Sequence, residues 1–271
     1  FTGSTAVGRK VQRSASERLI PTTLELGGKS PCIVEPSADL RVAARRIVWG
    51  KFINAGQTCI APDYLLVHES IESELIDSMK IAIREAYGTN LEQNPEYGRI
   101  IHEGHFDRLA AMIDPAKIAI GGSSDRASKF MEPTVLTGVK PTDAVMQEEI
   151  FGPILPVLTY SHLDEAIDFV QDQDPPLALY HFTGDTKSRD RVLTEIPFGG
   201  GCVNDTLMHI ANPHLPFGGV GASGMGAYHG KYSFELFSHR KSITTSITWL
   251  DIPLRYAPFG NKLKLVRKLL G

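Results

Sequence analysis

Apolar positions along this chain fall into short continuous runs separated by amphipathic stretches. The runs at 23–26, 32–35, 64–67, 117–120, 154–160, 178–182 and 200–204 are rich in β-branched and aromatic residues and bounded by turn formers, so each predicts a strand. Between them the period changes to that of a helix. Asp39 or Ser37 is placed to cap a segment over 40–54, and Ser70 to cap one over 71–87, where Ile71, Leu75, Met79 and Ile83 recur every fourth position until Gly88. Ser161 with Asp164 reads as a capping box opening a helix that ends near Gln171. Strand and helix alternating in this way predict an α/β fold, a mostly parallel sheet with helices on both faces.

The tail breaks the alternation. The run SITTSITWL at 242–250 is long and β-branched, and predicts a strand that needs a partner edge. The closing NKLKLVRKLLG sets Leu263, Val266 and Leu270 on one helical face, with Lys262, Lys264, Arg267 and Lys268 elsewhere. That is a basic amphipathic helix, read as docked on its own domain or on a sister subunit, with weak peripheral membrane contact as the alternative.

With 271 residues, 42% of them hydrophobic and 22% charged, the chain can build a sizeable core. A net charge of -3 gives no basic footprint for a polyanion, which excludes nucleic acid as the expected partner. The three cysteines, Cys32, Cys59 and Cys202, are odd in number, widely spaced and without a CxxC, so neither a disulfide framework nor a zinc site is expected and a reducing, cytoplasmic setting fits. No run of eighteen apolar residues and no signal-peptide pattern appears.

Candidate chemistry starts with a trap. Gly219, Gly221 and Gly224 satisfy G-x-G-x-x-G, but no strand precedes them and no helix follows directly, so the segment reads as a flexible surface loop. His102 and His105 lack a third ligand and read as a solvated helix face. Cys59 lies in NAGQTCIAPDY, on a connection between a helix and a strand, where it is either a nucleophile or an inert thiol; Cys32 and Cys202, in or beside apolar strands, read as buried and inert. Glu25 points away from the side taken by Leu24 and Leu26 and is followed by two glycines, so it is either a cation's partner or a base with a raised pKa. The run EEIFGP at 148–153 adds a second acid and an aromatic.

Five segments, FTGSTAVG at 1–8, LELGGKSP at 24–31, NAGQTC at 54–59, EEIFGP at 148–153 and PFGGVGASGMG at 216–226, occur in the order and approximate spacing of the aldehyde dehydrogenase superfamily. The stretches GAYHGKYSFELFSHRK and PLRYAPFGNKLKLVRKLL resemble its class 3 branch, which includes fatty and aromatic aldehyde dehydrogenases. The resemblance implies Cys59 as nucleophile, Glu25 as the acid that activates water or the thiol, and Glu149 as an alternative base. It also implies NAD or NADP as cofactor, with Gly3, Ser4, Gly8 and Leu26 against it and Glu149 and Phe151 at the nicotinamide ribose.

The same resemblance divides the chain into a remnant of the Rossmann-like nucleotide-binding domain at 1–25, a catalytic domain at 26–230, and a bridging strand with a C-terminal helix at 231–271. It implies an aldehyde substrate and a homodimer joined through that strand. Since the family's N-terminal half is not represented, a C-terminal portion, inactive as a dehydrogenase by itself, is the expectation. Two other readings stand beside it: a cysteine hydrolase or esterase using His68, His209 or His214 as base, and a non-catalytic dimerisation fragment.

Overall fold

The structure is a computed structural model describing residues 1–260 and 262–270. It divides into two compact units, 1–236 and 237–271. The first contains strands β1 (Leu24–Glu25), β2 (Pro31–Val34), β3 (Tyr64–His68), β4 (Ile118–Ile120), β5 (Ser124–Asp125), β6 (Phe130–Met131), β7 (Thr134–Leu136), β8 (Ile154–Tyr160), β9 (Ala178–Phe182), β10 (Gly200–Val203) and β11 (Gly224–Met225). Its helices are α1 (Thr5–Ser16), α2 (Leu40–Phe52), α3 (Glu72–Tyr87), α4 (Glu103–Ala110), α5 (Leu163–Gln171), α6 (Thr186–Glu195) and α7 (Gly230–Leu236). The second unit holds α8 (Lys262–Leu270).

Seven strands form the central sheet in the order β10-β9-β2-β3-β8-β7-β4, parallel at every pairing except the antiparallel β7–β4 edge. The continuous apolar runs have a physical reason. All residues of β2 and β9 are buried, as a parallel strand covered on both faces requires, and Pro31 is tolerated because it opens its strand. The one imidazole among them, that of fully buried His181, meets Glu35 at 2.5 Å. Every strand read within the first unit is present, and α2, α3 and α5 fall where the helical period places them.

Differences concentrate at the ends of elements. Asp39 caps α2 by accepting from the Val42 N–H at 3.0 Å. Ser70 does not cap α3: a 3-10 turn over Glu69–Ile71 intervenes, and the His68 imidazole accepts the Ser70 N–H instead. The Ser161–Asp164 capping box is also absent. His162 holds the N-cap position, and the Ser161 N–H is taken by Glu165, an acid one turn in that competes for the same donor. The segment 219–224 is not a flexible surface loop. Gly224 pairs with Glu25 in an antiparallel β11–β1 ladder and Ser223 is buried, because Gly219 and Gly224 allow backbone to lie where a Cβ would collide with it.

In the second unit, 242–249 forms no strand. A ladder needs a second edge, and no described residue pairs with these; Ile243, Ile247 and Trp249 stand exposed. The C-terminal helix is present over Lys262–Leu270 with Leu263 exposed, while the Leu270 side chain, Asn261 and Gly271 lie outside the described residues. Among the described residues no helix is long and apolar enough to cross a membrane.

The two caps separate cleanly in a test. Asp39→Ala should lose about 1 kcal/mol in urea unfolding, the usual cost of deleting an N-cap, whereas Ser161→Ala should stay within about 0.5 kcal/mol. A comparable loss at Ser161 would restore the capping box.

Candidate active site

The cysteine segment is shaped by backbone strain. After α2 ends at Phe52, Asn54, Ala55 and Gly56 take left-handed conformations in succession, with φ of 52°, 51° and 72°. Asparagine tolerates this; alanine does so at a cost that the surrounding packing must offset. At Gly56 a Cβ would fall 2.2 Å from the Gly152 carbonyl oxygen, so only glycine lets NAGQTC press backbone to backbone on EEIFGP. Gln57 then fixes the exit: its amide donates to the Asn54 and Arg99 carbonyls at 3.1 and 3.0 Å, and its oxygen accepts from the Ile101 N–H at 3.0 Å. A turn closed by Ala61 N–H to Thr58 C=O at 3.0 Å presents Cys59, half-buried.

The opposing wall is held as tightly. Asp63 pairs with Lys29 at 2.5 Å and accepts the Ile150 N–H at 2.9 Å, while Lys29 also donates to the Val145 and Glu148 carbonyls. His105 donates to the carbonyl of Phe151, a residue with φ of 52°, and Arg108 donates to the Glu149 and Ile150 carbonyls. The His102 ring accepts the His105 N–H as a helix cap. His105 therefore supports the 148–151 loop, while His102 is exposed and caps its own helix, and no metal-holding group of three His, Cys, Asp or Glu exists among the described residues.

Glu25 is clamped from both sides. Its N–H donates to Phe1, its carbonyl accepts from Gly3, and β11 covers its other edge. Together these elements enclose a cavity of about 560 Å³ whose lining includes Cys59, Glu25, Glu149, Gly3, Ser4, Leu26 and Phe151, joined by Thr2, Gly27, Gln57 and Thr58. Gly8 does not line it. A Cβ there would sit 2.6 Å from the Leu26 side chain, so Gly8 lets α1 approach Leu26 from behind. Gln57, Thr58 and the Lys29–Asp63 pair were not singled out by sequence; Gln57 and Thr58 lay inside the NAGQTC motif, while the ion pair joins residues far apart in the chain.

Electrostatics mark the cavity. Burial pushes Glu25 up to about 7, and neither of its carboxyl oxygens has a partner. Burial also carries Glu149 to about 7, reinforced by Asp63 and opposed by the Gly28 N–H, Lys29 and Lys51. Lys51, fully buried, is itself pushed down to about 8, chiefly by burial. The Cys59 thiol is raised by burial and then by Glu149, with Glu25 adding to it, while the N–H groups of Cys59 and Ile60 pull the other way.

The other cysteines divide. Cys32 is buried as read, but Cys202 is half-buried, since β10 is a sheet edge, and its sulfur lies 3.5 Å from His209 Nδ1. Burial pushes that imidazole down to about 4, so the pair is neutral and lacks the ionic activation of a catalytic Cys–His couple. None of His68, His209 and His214 lines the Cys59 cavity.

The cavity suits one end of a dinucleotide. Gly3 and Ser4 open it onto the N-terminus of α1, where Ser4 makes no side-chain cap bond and the first turn carries no acid, the arrangement an anionic phosphate favours. Gly27 admits close approach as well: the Glu149 carboxylate lies where its Cβ would be.

A sequence model described as the aldehyde dehydrogenase family matches residues 1–243. A 4,4'-diaponeurosporen-aldehyde dehydrogenase of Staphylococcus aureus is 53% identical over 269 residues, covering 98% of this chain and 59% of that protein. A mouse (Mus musculus) aldehyde dehydrogenase described as dimeric and NADP-preferring is 52% identical over 242 residues, 89% of this chain and 53% of that protein. Among solved structures, a substrate-bound Staphylococcus aureus AldH superposes with a TM-score of 0.98 at 52% identity, covering all of this chain and 60% of the other. The chain thus spans about half the length of the curated relatives it matches.

The buried acid has a stability signature. Between pH 4.5 and about 7 the unfolded chain ionises Glu25 while the folded one keeps its proton, so folding weakens as pH rises through that window, by up to about 3 kcal/mol. Glu25→Gln removes the effect. Relative to wild type its melting temperature should therefore rise between pH 5 and pH 8; a difference that stays flat with pH would show that Glu25 is not buried as described.

Proposed function

This chain belongs to the aldehyde dehydrogenase family, and we propose that its Cys59 cavity carries the thiol half of an NAD- or NADP-dependent oxidation of an aldehyde to a carboxylic acid. The observation that carries the reading is the meeting of Cys59, Glu25 and Glu149, drawn from three distant segments, in one cavity beside an open helix N-terminus.

The Cys59 thiol gives its proton to Glu149, which passes it on to solvent, and the sulfur bonds to the aldehyde carbon. The carbonyl oxygen becomes negative and accepts from the backbone N–H of Cys59. Gly3, Ser4, Leu26, Glu149 and Phe151 would hold the nicotinamide end of the cofactor, with Gly8 shaping that wall from behind Leu26. When bound, that group supplies the hydride acceptor that turns the thiol adduct into a thioester. Glu149 then takes a proton from water, hydroxide adds to the thioester carbon, and the carbon–sulfur bond breaks to release the acid and Cys59. Glu149 is preferred to Glu25 as base on two grounds. It is the stronger charge neighbour of the thiol, and it is only half-buried, whereas both Glu25 oxygens are sealed from solvent. Glu25 tunes the thiol from the cavity floor. A histidine-assisted hydrolase is not favoured, since no candidate histidine reaches the cavity.

The assembly proposed is a homodimer in a reducing cytoplasm, with 242–249 adding to the sheet edge of a second copy. Light scattering at micromolar concentration should return a dimer mass, and Ile247→Pro, which removes a ladder N–H, should weaken association. A monomer in the wild type would remove this assembly.

Chemistry is tested with p-nitrophenyl acetate. Peptide mapping should place the acetyl group on Cys59, and Cys59→Ala should abolish turnover. Glu149→Gln should still acetylate but hydrolyse the acetyl-enzyme roughly 100 to 10,000-fold more slowly. In wild type that hydrolysis should rise with pH through about 7, where Glu149 ionises. If Glu25→Gln alone produces the deacylation defect, the roles of the two acids are reversed.

A further inference from the structure

Tyr180 lies in the middle of β9, fully buried, with Cys32 of β2 and Cys202 of β10 beside it in register on either flank. Packing alone does not need its hydroxyl: Phe182, two residues along on the same face of the strand, fills the core without one. A buried phenol requires a partner, and this one donates to the Ile60 carbonyl at 2.6 Å. One hydroxyl therefore joins the sheet to the turn bearing Cys59.

Ile60 is the residue after the thiol within the Thr58–Ala61 turn, and its N–H and that of Cys59 both favour the thiolate. The turn has one internal bond, Ala61 N–H to Thr58 C=O, which leaves the Ile60 carbonyl free to rotate unless something holds it. We propose that Tyr180 is a positioning residue for the nucleophile: its hydroxyl, by gripping the Ile60 carbonyl, holds the turn so that the N–H groups of Cys59 and Ile60 face the sulfur and the developing oxyanion. The inference rests on the reading of Cys59 as the nucleophile, and extends it to a residue that never touches the substrate.

Tyr180→Phe keeps the ring and removes the grip. Three quantities are read on the 271-residue chain: the pH midpoint of Cys59 alkylation by iodoacetamide, followed by peptide mapping; the rate of Cys59 acetylation by p-nitrophenyl acetate; and the melting temperature. The variant should alkylate with a midpoint shifted to higher pH, because the sulfur loses aligned donors while Glu149 and Glu25 still face it. Acetylation should slow by about 10 to 100-fold, at or below the loss seen on deleting one oxyanion donor. A lowered melting temperature with midpoint and rate unchanged would make Tyr180 merely structural and overturn the proposal. If wild-type Cys59 is not acetylated at all, the nucleophile reading fails, yet the alkylation midpoint still decides the tyrosine's role. Should Tyr180→Phe not fold, amide hydrogen exchange on the wild type decides. The Ala61 N–H, whose bond to the Thr58 carbonyl closes the turn, should be protected as strongly as those of β10, and exchange at an unprotected rate would show that the turn is not held.

Discussion

Removing two carboxylates and a thiol from water at a single point is the constraint on which the rest of this structure depends. Each loses hydration that a protein interior replaces poorly, and Glu25 receives no replacement at all. Such a site persists only if the surrounding chain leaves it no way to relax. The means are visible: a strand of two residues trapped between the 1–3 segment and β11, a buried Lys29–Asp63 pair that captures the Ile150 N–H, and a run of left-handed residues that cannot unwind without breaking contact with Gly152. The parallel sheet supplies the rigidity against which these devices act.

Close backbone approach is the second theme. Gly27, Gly56, Gly219 and Gly224 stand where a Cβ would meet a carboxylate or main chain at 1.9 to 2.5 Å. They cluster around the cavity because the groups that line it, or that hold those groups, are brought together by main chain rather than by long side chains. Main chain cannot adopt another rotamer, so geometry set this way is stiff.

How much of this the amino-acid sequence discloses depends on the range of the interaction concerned. Strands buried on both faces announce themselves as unbroken apolar runs, and Asp39 is a cap because its bond closes within three residues. Ser161 looked equivalent, yet a competing acid at 165 took the donor, a contest local pattern does not resolve. The 219–224 segment reads as a loose loop until β1 is placed beside it, and Cys202 reads as buried until β10 proves to be an edge. The cavity members Cys59, Glu25 and Glu149 were individually visible through the family resemblance. Lys29–Asp63 and Tyr180–Ile60 were not, because they join residues 34 and 120 positions apart through contacts that exist only once the sheet has assembled.

The upward pull on Cys59 bears on how long the thiol survives chemically. Peroxide and other oxidants consume thiolates far faster than thiols. A cysteine whose burial and acidic neighbours keep its proton in place at neutral pH therefore spends its idle time in the form that resists oxidation, and becomes strongly nucleophilic only when the proton departs. Slower thiol ionisation and longer chemical survival are, in this cavity, two readings of one electrostatic fact.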